Sequence, residues 1–542
     1  MSLAALTPEE HKLLQPYVTS TTDHVFLVRP DKLPGMVGAC FARYSRTSGG
    51  FRQTLVREFI KEKMLNPDKA DQLINRVLNE FGDESIQELE GTYLSLERIS
   101  NIVTKKVEDG RIGLSPIEQS TRFVWYDELD EQGDFLFARE PSIMQSALAD
   151  RYVTVQNGHF ETYSRLKDPM KAYYQRCKPL ETARYQVRRG DDKVEVSLAE
   201  CLDDRERATF KRIYDEDLRT KACDTLRCLL PLATLTNVGI FANGRALAAM
   251  LKRLYSTDIP ECVEVAKKAH AALRTVMPRY VQRAQRDEYL VSVRENMQRL
   301  TDELVGQIVP DKCQEVEFLG SGYSRHLVIA LMLFEYCQLS APQLMWVVGL
   351  MDRDTQQRVI NTYVGKRRTR FDRVGRALEV GYRWQFHVRG DAGAMRDLHR
   401  HRMMGFMRQR FTTCHGFKQI SPDLEEAGFR HEIQQRVEVA HNLYETVLAQ
   451  CGRDAAQYCT LMGHLVDYAM LFNDREAEHT LELRSGKPCH WDYRRPIQAM
   501  DLMMRAADDL DCPELRKFVD HEYYTWPRAD QLALTEIKNA TP

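Results

Sequence analysis

Two stretches of this chain run in parallel. "FANGRALAAMLKRL" begins at Phe241 and "LFNDREAEHTLELR" at Leu471, and both carry Asn-x-Arg (Asn243/Arg245 and Asn473/Arg475) in a helical pattern. Each is preceded by a strand-like and then basic segment, at 92–112 and at 382–402. A repeated order of this kind signals an internal duplication, which restricts the architecture more than any single motif does. At 542 residues the chain is also too long for one hydrophobic core, so two or more domains or repeats are expected.

The punctuation along the chain gives a provisional map. Residues 1–35 read as an N-terminal helical entry segment, with Thr7 as cap and Pro8 in the first turn. Residues 36–300 read as the first repeat, with a polar insert over about 127–200; 301–511 read as the second repeat, and 512–542 as a C-terminal tail. "TYLSLERISNIV" at 92–103 has the β-branched alternation of a strand, and "ALEVGYRWQFHV" at 377–388 is a second strand candidate. Helices are expected over 222–285, including "NVGIFANGRALAAMLKRLY", over 322–350 and over 430–510. The fold class is therefore α+β, rich in helix.

Charge and cysteine usage narrow the chemistry. A net charge of -2 makes the whole protein no polyelectrolyte binder, so anion recognition must come from local clusters. The 13 cysteines are scattered, with no Cys-x-x-Cys pair, which favours a reducing, cytoplasmic compartment and buried thiols. No apolar run has membrane-spanning length, and "MSLAALTPEEHKLL" lacks the basic start and long apolar core of a signal peptide.

Three local clusters carry chemistry. "RDLHRHRMMGFMRQR", from Arg396 to Arg410, holds five arginines and two histidines in fifteen residues. On a helix, Arg396 and Arg400 would share a face one turn apart and suit a phosphate or carboxylate. The plainer reading is a solvated basic face or a nucleic-acid patch, together with "GKRRTRFDR" at 365–373. His399 and His401 would not share a metal on one helix, and no metal site is expected. "SPIEQSTRF", from Ser115, reads as a helix capping box with proline in the first turn, yet Ser120 and Arg122 beside Glu118 could hold a phosphate. "ELRSGKPCHWDYR", from Glu482, joins arginine, histidine, tryptophan and aspartate across a turn.

Together these pieces resemble the flavin-dependent thymidylate synthase family. That family carries Arg-His-Arg, then Ser-x-Asn-Glu-x-Ser-x-Arg-Tyr, Arg-x-x-Leu-Pro and Asn-x-Arg, and a late arginine before Ala-Gln-Trp-Glu-Ile-Arg. The resemblance covers most of 36–285 and again about 370–510. In the first repeat Ser115, Glu118, Ser120, Arg122, Arg227, Asn243 and Arg245 fall on the family's positions. Ile117 replaces the asparagine there, Phe123 the tyrosine, and Gly110-Arg111-Ile112 the Arg-His-Arg. In the second, Arg400-His401-Arg402, Asn473, Arg475 and Arg484 match, while Gly405, Arg408, Arg410 and Thr412 replace the serine/glutamate/arginine loop, and Gln457 stands where Arg227 does. The two halves have lost complementary parts.

The resemblance implies two tandem thymidylate-synthase-complementing-protein-like repeats, each a sheet packed with long helices. It implies one composite site between them, acting in the reductive methylation of dUMP or a related pyrimidine nucleotide. FAD would be the cofactor, with NADPH and methylenetetrahydrofolate as co-substrates. Arg484 would be catalytic, polarising the uracil. Arg227, Glu118, Ser120, Arg122, Arg400 and Arg484 would bind substrate. Arg400, His401, Arg402, Asn473, Arg475, Asn243 and Arg245 would hold the flavin. Asp397 stands where the family has a glutamine in the substrate site. Because the family is tetrameric with one repeat per chain, a homodimer imitating that tetramer is expected. The alternatives are a non-catalytic scaffold descendant and a nucleic-acid-binding protein using the arginine-rich clusters.

Overall fold

The computed structural model describes residues 6–33, 37–44, 50–61, 84–189, 192–322, 325–365, 377, 384–507, 516 and 518–527. They fall into two compact units: 1–97 with 103–118 and 237–288, and 98–102 with 119–236 and 289–542.

The duplication is visible in the strands. In the first half, β1 (Gly91–Ser100), β2 (Leu114–Glu118) and, much later, β5 (Leu235–Asn243) make a sheet of order β1-β5-β2. Between them come β3 (Arg184–Arg189) and β4 (Asp192–Ser197), a separate antiparallel hairpin. In the second half, β6 (Val316–Ser321), β7 (Trp384–Asp391), β8 (Gly405–Arg408) and β9 (Leu465–Phe472) make a sheet of order β6-β7-β9-β8. In both halves the last strand inserts between two earlier ones and leads directly into a helix, Gly244–Tyr255 or Asp474–Ser485. The register repeats too. Ser115 faces Phe241 on β5, and Gly405 faces Leu471 on β9. A local two-fold relation joins equivalent turns: Pro231 bridges Leu461, Leu232 N–H donates to Thr460 O at 2.8 Å, and Met462 N–H donates to Leu230 O at 2.8 Å.

Several sequence expectations are corrected. "SPIE" is an edge strand rather than a helix cap. Its backbone pairs with β5, and an edge position tolerates Pro116 because a ladder hydrogen bond is not required there. The helix expected over 237–255 begins only at Gly244. Before it, Val238, Ile240 and Ala242 are buried in alternation with more exposed neighbours, the period of a strand. The block 430–510 likewise contains β9, which is buried on both faces and so lacks the alternation that distinguishes strand from helix. The strand expected over 92–103 ends at Ser100, where the helix Asn101–Glu108 takes over. Arg396 and Arg400 do not share a helix, because the helix Ala392–Leu398 stops before Arg400.

Other expectations hold. Thr7 caps its helix in a reciprocal box with Glu10. Residues 325–334 and 341–350 are helical; with Met297 and Val359 from flanking helices they bury one face of the second sheet at Met407, Ala469 and Leu471. The stretch 127–200 contains a long helix, Ala149–Cys177, anchored within its own unit by Gln156 Nε2–H to Tyr458 O (2.8 Å) and Tyr174 O–H to Asp423 Oδ2 (2.8 Å). Of the strand expected over 377–388, residues 378–383 lie outside the described residues, as do 366–373 of the basic stretch and most of the tail. No helix among the described residues is long and apolar enough to cross a membrane.

Candidate functional site

The second unit gathers arginines from both repeats around one aspartate. The short helix Ala392–Leu398 starts on Asp391, whose Oδ1 accepts Ala394 N–H at 2.9 Å, and it carries Asp397 in its last turn. Arg227 Nη1 and Arg400 Nη1 each lie 3.8 Å from an Asp397 oxygen. Burial pushes the Asp397 carboxyl up, but Arg400, Arg122, Arg227 and Arg484 outweigh it and hold the group below the usual carboxylate range. Asp397 is therefore ionised at neutral pH.

The arginines differ in how fully they are engaged. Arg122 is buried and forks onto Asp224, with Nε–Oδ1 2.6 Å and Nη2–Oδ2 2.8 Å, and its Nη1 donates to Tyr493 O–H at 3.1 Å. Arg227 is also buried, yet its Nη2 has no hydrogen-bond partner. Its guanidinium packs beside Gly393, where an added Cβ would be in ordinary contact at 3.5 Å from Cζ. An unpaired buried donor on a permanent cation marks a place for an anionic oxygen. Four guanidiniums here face two carboxylates, Asp224 and Asp397, which leaves the cluster positive.

Arg484 is oriented by a relay. Its Nε–H donates to His401 Nε2 at 2.8 Å, so His401 must carry its proton on Nδ1. Nδ1 lies 2.9 Å from Thr480 Oγ1, and that hydroxyl donates to Glu476 Oε1 at 2.9 Å. Burial lowers the His401 pKa against the opposing pull of Glu476. The ring thus stays neutral, the only form that can accept from an arginine.

A cavity of about 330 Å³ in this unit is lined by Asp224, Lys418, His490, Trp491, Arg494 and Tyr523, among others. That volume and its mix of aromatic and charged walls suit a small organic ligand. His490 Nε2 lies 3.3 Å from Asp224 O, and His490 Nδ1 accepts Asp492 N–H at 3.1 Å, which fixes its tautomer. Burial, aided by Arg227, lowers the His490 pKa to about 3. Asp492 pairs with the half-buried Lys418.

The remaining expected residues have local partners or none described. Ser120 Oγ accepts Arg122 N–H at 3.1 Å, a turn contact. Glu118 belongs to the first unit, where its two oxygens meet Thr104 Oγ1 and Lys105 Nζ, each at 3.1 Å, and Lys105 also pairs with Glu108. Asn243 and Asn473 are both helix caps, accepting Ala246 N–H at 2.8 Å and Glu476 N–H at 2.9 Å. The shared Asn-x-Arg thus has a local structural role in each repeat. Arg245 pairs with Glu88 at 2.7 Å, Arg402 is exposed, and the Arg475 side chain lies outside the described residues. The Arg396–Arg410 cluster is no continuous basic face. Arg396 and His399 are buried, and Arg410 is tied to Asp454 (3.0 Å) and Gln298 (2.6 Å).

Sequence reading missed Asp224, Glu476, Thr480 and Gly393. The first three sit three or four residues from Arg227, Thr480 and Glu476 respectively on helices, a spacing that signals adjacency but no chemistry.

Comparison with known proteins gives a family. Residues 34–279 and 342–508 match the family model described as thymidylate synthase complementing protein. A UPF0159 protein of Chlamydia pneumoniae is 29% identical over 510 residues, covering 90% of each chain. A UPF0159 protein of Thermoplasma acidophilum is 27% identical over 515 residues, 92% of this chain and 98% of that one.

Proposed function

We infer the function of this chain from its family: it belongs to the thymidylate synthase complementing proteins, so it is a thymidylate-synthase-like protein. In our reading it carries one composite site per chain for a pyrimidine nucleotide such as dUMP. Arg122 and Arg227 come from the first repeat, and Arg400, His401 and Arg484 from the second. The observation that carries this reading is the convergence of these arginines on one place, with Arg227 Nη2 left as a buried donor without a partner.

The geometry supports a role for each residue. Arg227, fixed against Gly393, takes a phosphate oxygen. Arg122 contributes charge while Asp224 holds it in position. Arg484, aimed by neutral His401, polarises a uracil carbonyl and stabilises negative charge that develops on the ring. FAD, when bound, would supply the redox chemistry of a reductive methylation, with NADPH and methylenetetrahydrofolate as co-substrates; Arg400, His401, Arg402, Asn473 and Arg475 are the residues to hold it. The positive cluster fits the phosphates of such groups. A homodimer of two-repeat chains would give the assembly four repeats.

Arg227→Gln tests the reading, because glutamine is what the second repeat carries at the equivalent position, Gln457. The dUMP affinity, measured by titration calorimetry on flavin-loaded protein, should fall roughly 10- to 100-fold, the worth of about 1.5–3 kcal/mol for a charged hydrogen bond. An unchanged affinity removes Arg227 from the site. One observation favours a second reading, a non-catalytic descendant: Asp397 and Asp224 already neutralise half of the arginine charge. Protein that retains no flavin after loading and binds no dUMP would establish that reading instead.

A further inference from the structure

A second cluster of ligand-type side chains lies on the second sheet, apart from the arginines. Asp467 on β9 stands opposite Arg389 on β7, and His387, two residues earlier on β7, faces the same side. Cys313 comes from the loop before β6. Its sulfur, an imidazole nitrogen of His387 and a carboxylate oxygen of Asp467 all lie within 4.8 Å of one another. We propose that Cys313, His387 and Asp467 form a binding site for a divalent transition metal of the zinc class, with the fourth position open to a water or a small ligand.

The first argument is His387. It is completely buried, and neither ring nitrogen has a hydrogen-bond partner. Its Nε2 lies 3.3 Å from Asp467 Oδ2 but without the alignment of a hydrogen bond. A buried imidazole whose Nδ1 has no partner and whose Nε2 meets only a misaligned carboxylate is costly unless something else uses its lone pair. A metal ion does so.

The second argument is the way Asp467 is held. Arg389 donates Nε–H to Oδ1 and Nη2–H to Oδ2, both at 2.7 Å, which keeps the carboxylate ionised and fixes its plane. A lone pair of Oδ2 remains on the side of His387, and His415 Nε2 approaches the same oxygen to 3.7 Å. His415 Nε2 is already 3.0 Å from Gln409 Oε1, so that ring flanks the fourth position rather than serving as a ligand. Arg389 Nη1–H also donates to Asp311 O at 2.8 Å, tying the Cys313 loop to the strand that carries His387. This is the outer-shell support that metal ligands receive.

The third argument is access. Cys313 lines an open cavity of about 350 Å³, through which an ion could reach its sulfur; the wall carries Glu315, Asp391 and Asp492 together with Arg389, Lys418 and Arg495. Burial, with Asp467 nearby, pushes the Cys313 thiol up to about 12. On binding, the S–H bond would break, its proton would leave to solvent, the S–metal bond would form, and no electron would move. Zinc takes sulfur and nitrogen ligands at about 2.0–2.3 Å in a tetrahedron, so the present spacing needs a contraction of roughly 1 Å. Among the described residues the first repeat shows no such cluster: Asn237 stands where Asp467 does, six residues before the capping asparagine.

Full-length protein, stripped with a chelator, is titrated with Co²⁺ as a spectroscopic probe and separately with Zn²⁺. The expected result is one equivalent bound per chain, with the visible bands of four-coordinate cobalt and a thiolate-to-cobalt charge-transfer band. Cys313→Ser, at a partly exposed position that should leave the fold intact by circular dichroism, should abolish the charge-transfer band. It should also weaken Co²⁺ at least ~100-fold, more than a supporting residue usually does. No stoichiometric binding, or binding and spectrum unchanged in Cys313→Ser, would overturn the proposal. His387→Gln supplies an independent check with the same expected loss.

Discussion

The two sheets share a topology and differ in what covers them. On the first, Ile117 and Tyr93 are 77% and 83% exposed, and Phe241 rests against Tyr93 with ring centroids 5.0 Å apart. On the second, Met407 and Leu471, which occupy the register positions of Ile117 and Phe241, are 5% and 1% exposed. The difference is the helical layer Glu288–Val305, Arg325–Phe334, Ala341–Leu350 and Arg353–Val364, which buries the second sheet and has its own core with it. A duplicated fold thus keeps its backbone ladder while the side-chain demands on one face diverge. The covered face became apolar at Met407, Ala469 and Leu471, and it also buries Gln385, His387, Arg389 and Asp467.

Acid should break the comparison most strongly. In the second unit, burial lowers the pKa of His159 and His464 to about 3, of His490 to about 3 and of His415 to about 4, from an ordinary 6.5. A histidine with a depressed folded pKa stays neutral while its unfolded form takes up a proton. Its contribution to stability is therefore complete above pH 6.5 and is lost as pH falls toward the folded value. Among the described residues of the first unit only His270 is lowered, and it is only partly buried. Hydrogen exchange followed from pH 7 to pH 4 should show the second unit opening first. Simultaneous opening, or earlier opening of β1 and β2, would contradict the assignment of the buried histidines.

Truncation comes next. Leu471→Ala or Met407→Ala removes side chains that touch the helical layer and should destabilise by about 2–5 kcal/mol, read as a shift in urea midpoint. The equivalent first-sheet change, Phe241→Ala, should give much less, since that ring is 44% exposed. Equal shifts would mean that the first sheet is covered in solution.

How much of this was legible depended on whether a pattern had a partner in sequence. The duplication was legible because Asn-x-Arg recurs after the same strand-like and basic prelude, and the register of β2 and β8 agrees with the motif correspondence of Ser115 with Gly405. Strand β5 buries Val238, Ile240 and Ala242 at every second position, yet in sequence the stretch reads as helix because its apolar residues run straight into the helix Gly244–Tyr255. Strand β9 gave no period to read. Arg122, Arg227, Arg400, His401 and Arg484 were named from motifs alone, and all five lie in the arginine cluster or its relay. Their partners were not legible. Asp224 and Glu476 are ordinary helix residues in sequence, and Cys313, His387 and Asp467 come from three separate elements with no spacing to connect them.

The turn where the repeats meet sharpens the comparison at a single atom. Gly463 occupies the place that Ala233 has in the first repeat, ahead of the capping asparagine. A methyl group at Gly463 would run into the Phe417 ring and sit 2.9 Å from Cys228 Cβ. Gly463→Ala should cost about 1–3 kcal/mol through overpacking. Ala233→Gly leaves only a small void and should cost about 1 kcal/mol or less. If Gly463→Ala is neutral, Phe417 has room to swing aside and the turn is less tightly packed than its geometry implies.

The smallest expected effect is the most informative about the exposed face. Ile117 sits on an edge strand with its side chain in solvent, and its backbone pairing with Gly239 does not depend on what the side chain is. Ile117→Ser therefore removes little buried area and should change stability by no more than about 0.5 kcal/mol, with the small strand preference of isoleucine as the main loss. Tyr93→Ser should behave alike, apart from the ring contact with Phe241. Light scattering on the same variants separates two cases. If stability and mass both stay unchanged, the face is open in solution and the second sheet's helical layer is an addition without a first-sheet equivalent. If either substitution lowers the mass or destabilises by more than about 1 kcal/mol, the face is covered by another copy of the chain, and the two sheets are alike in being buried but differ in what buries them.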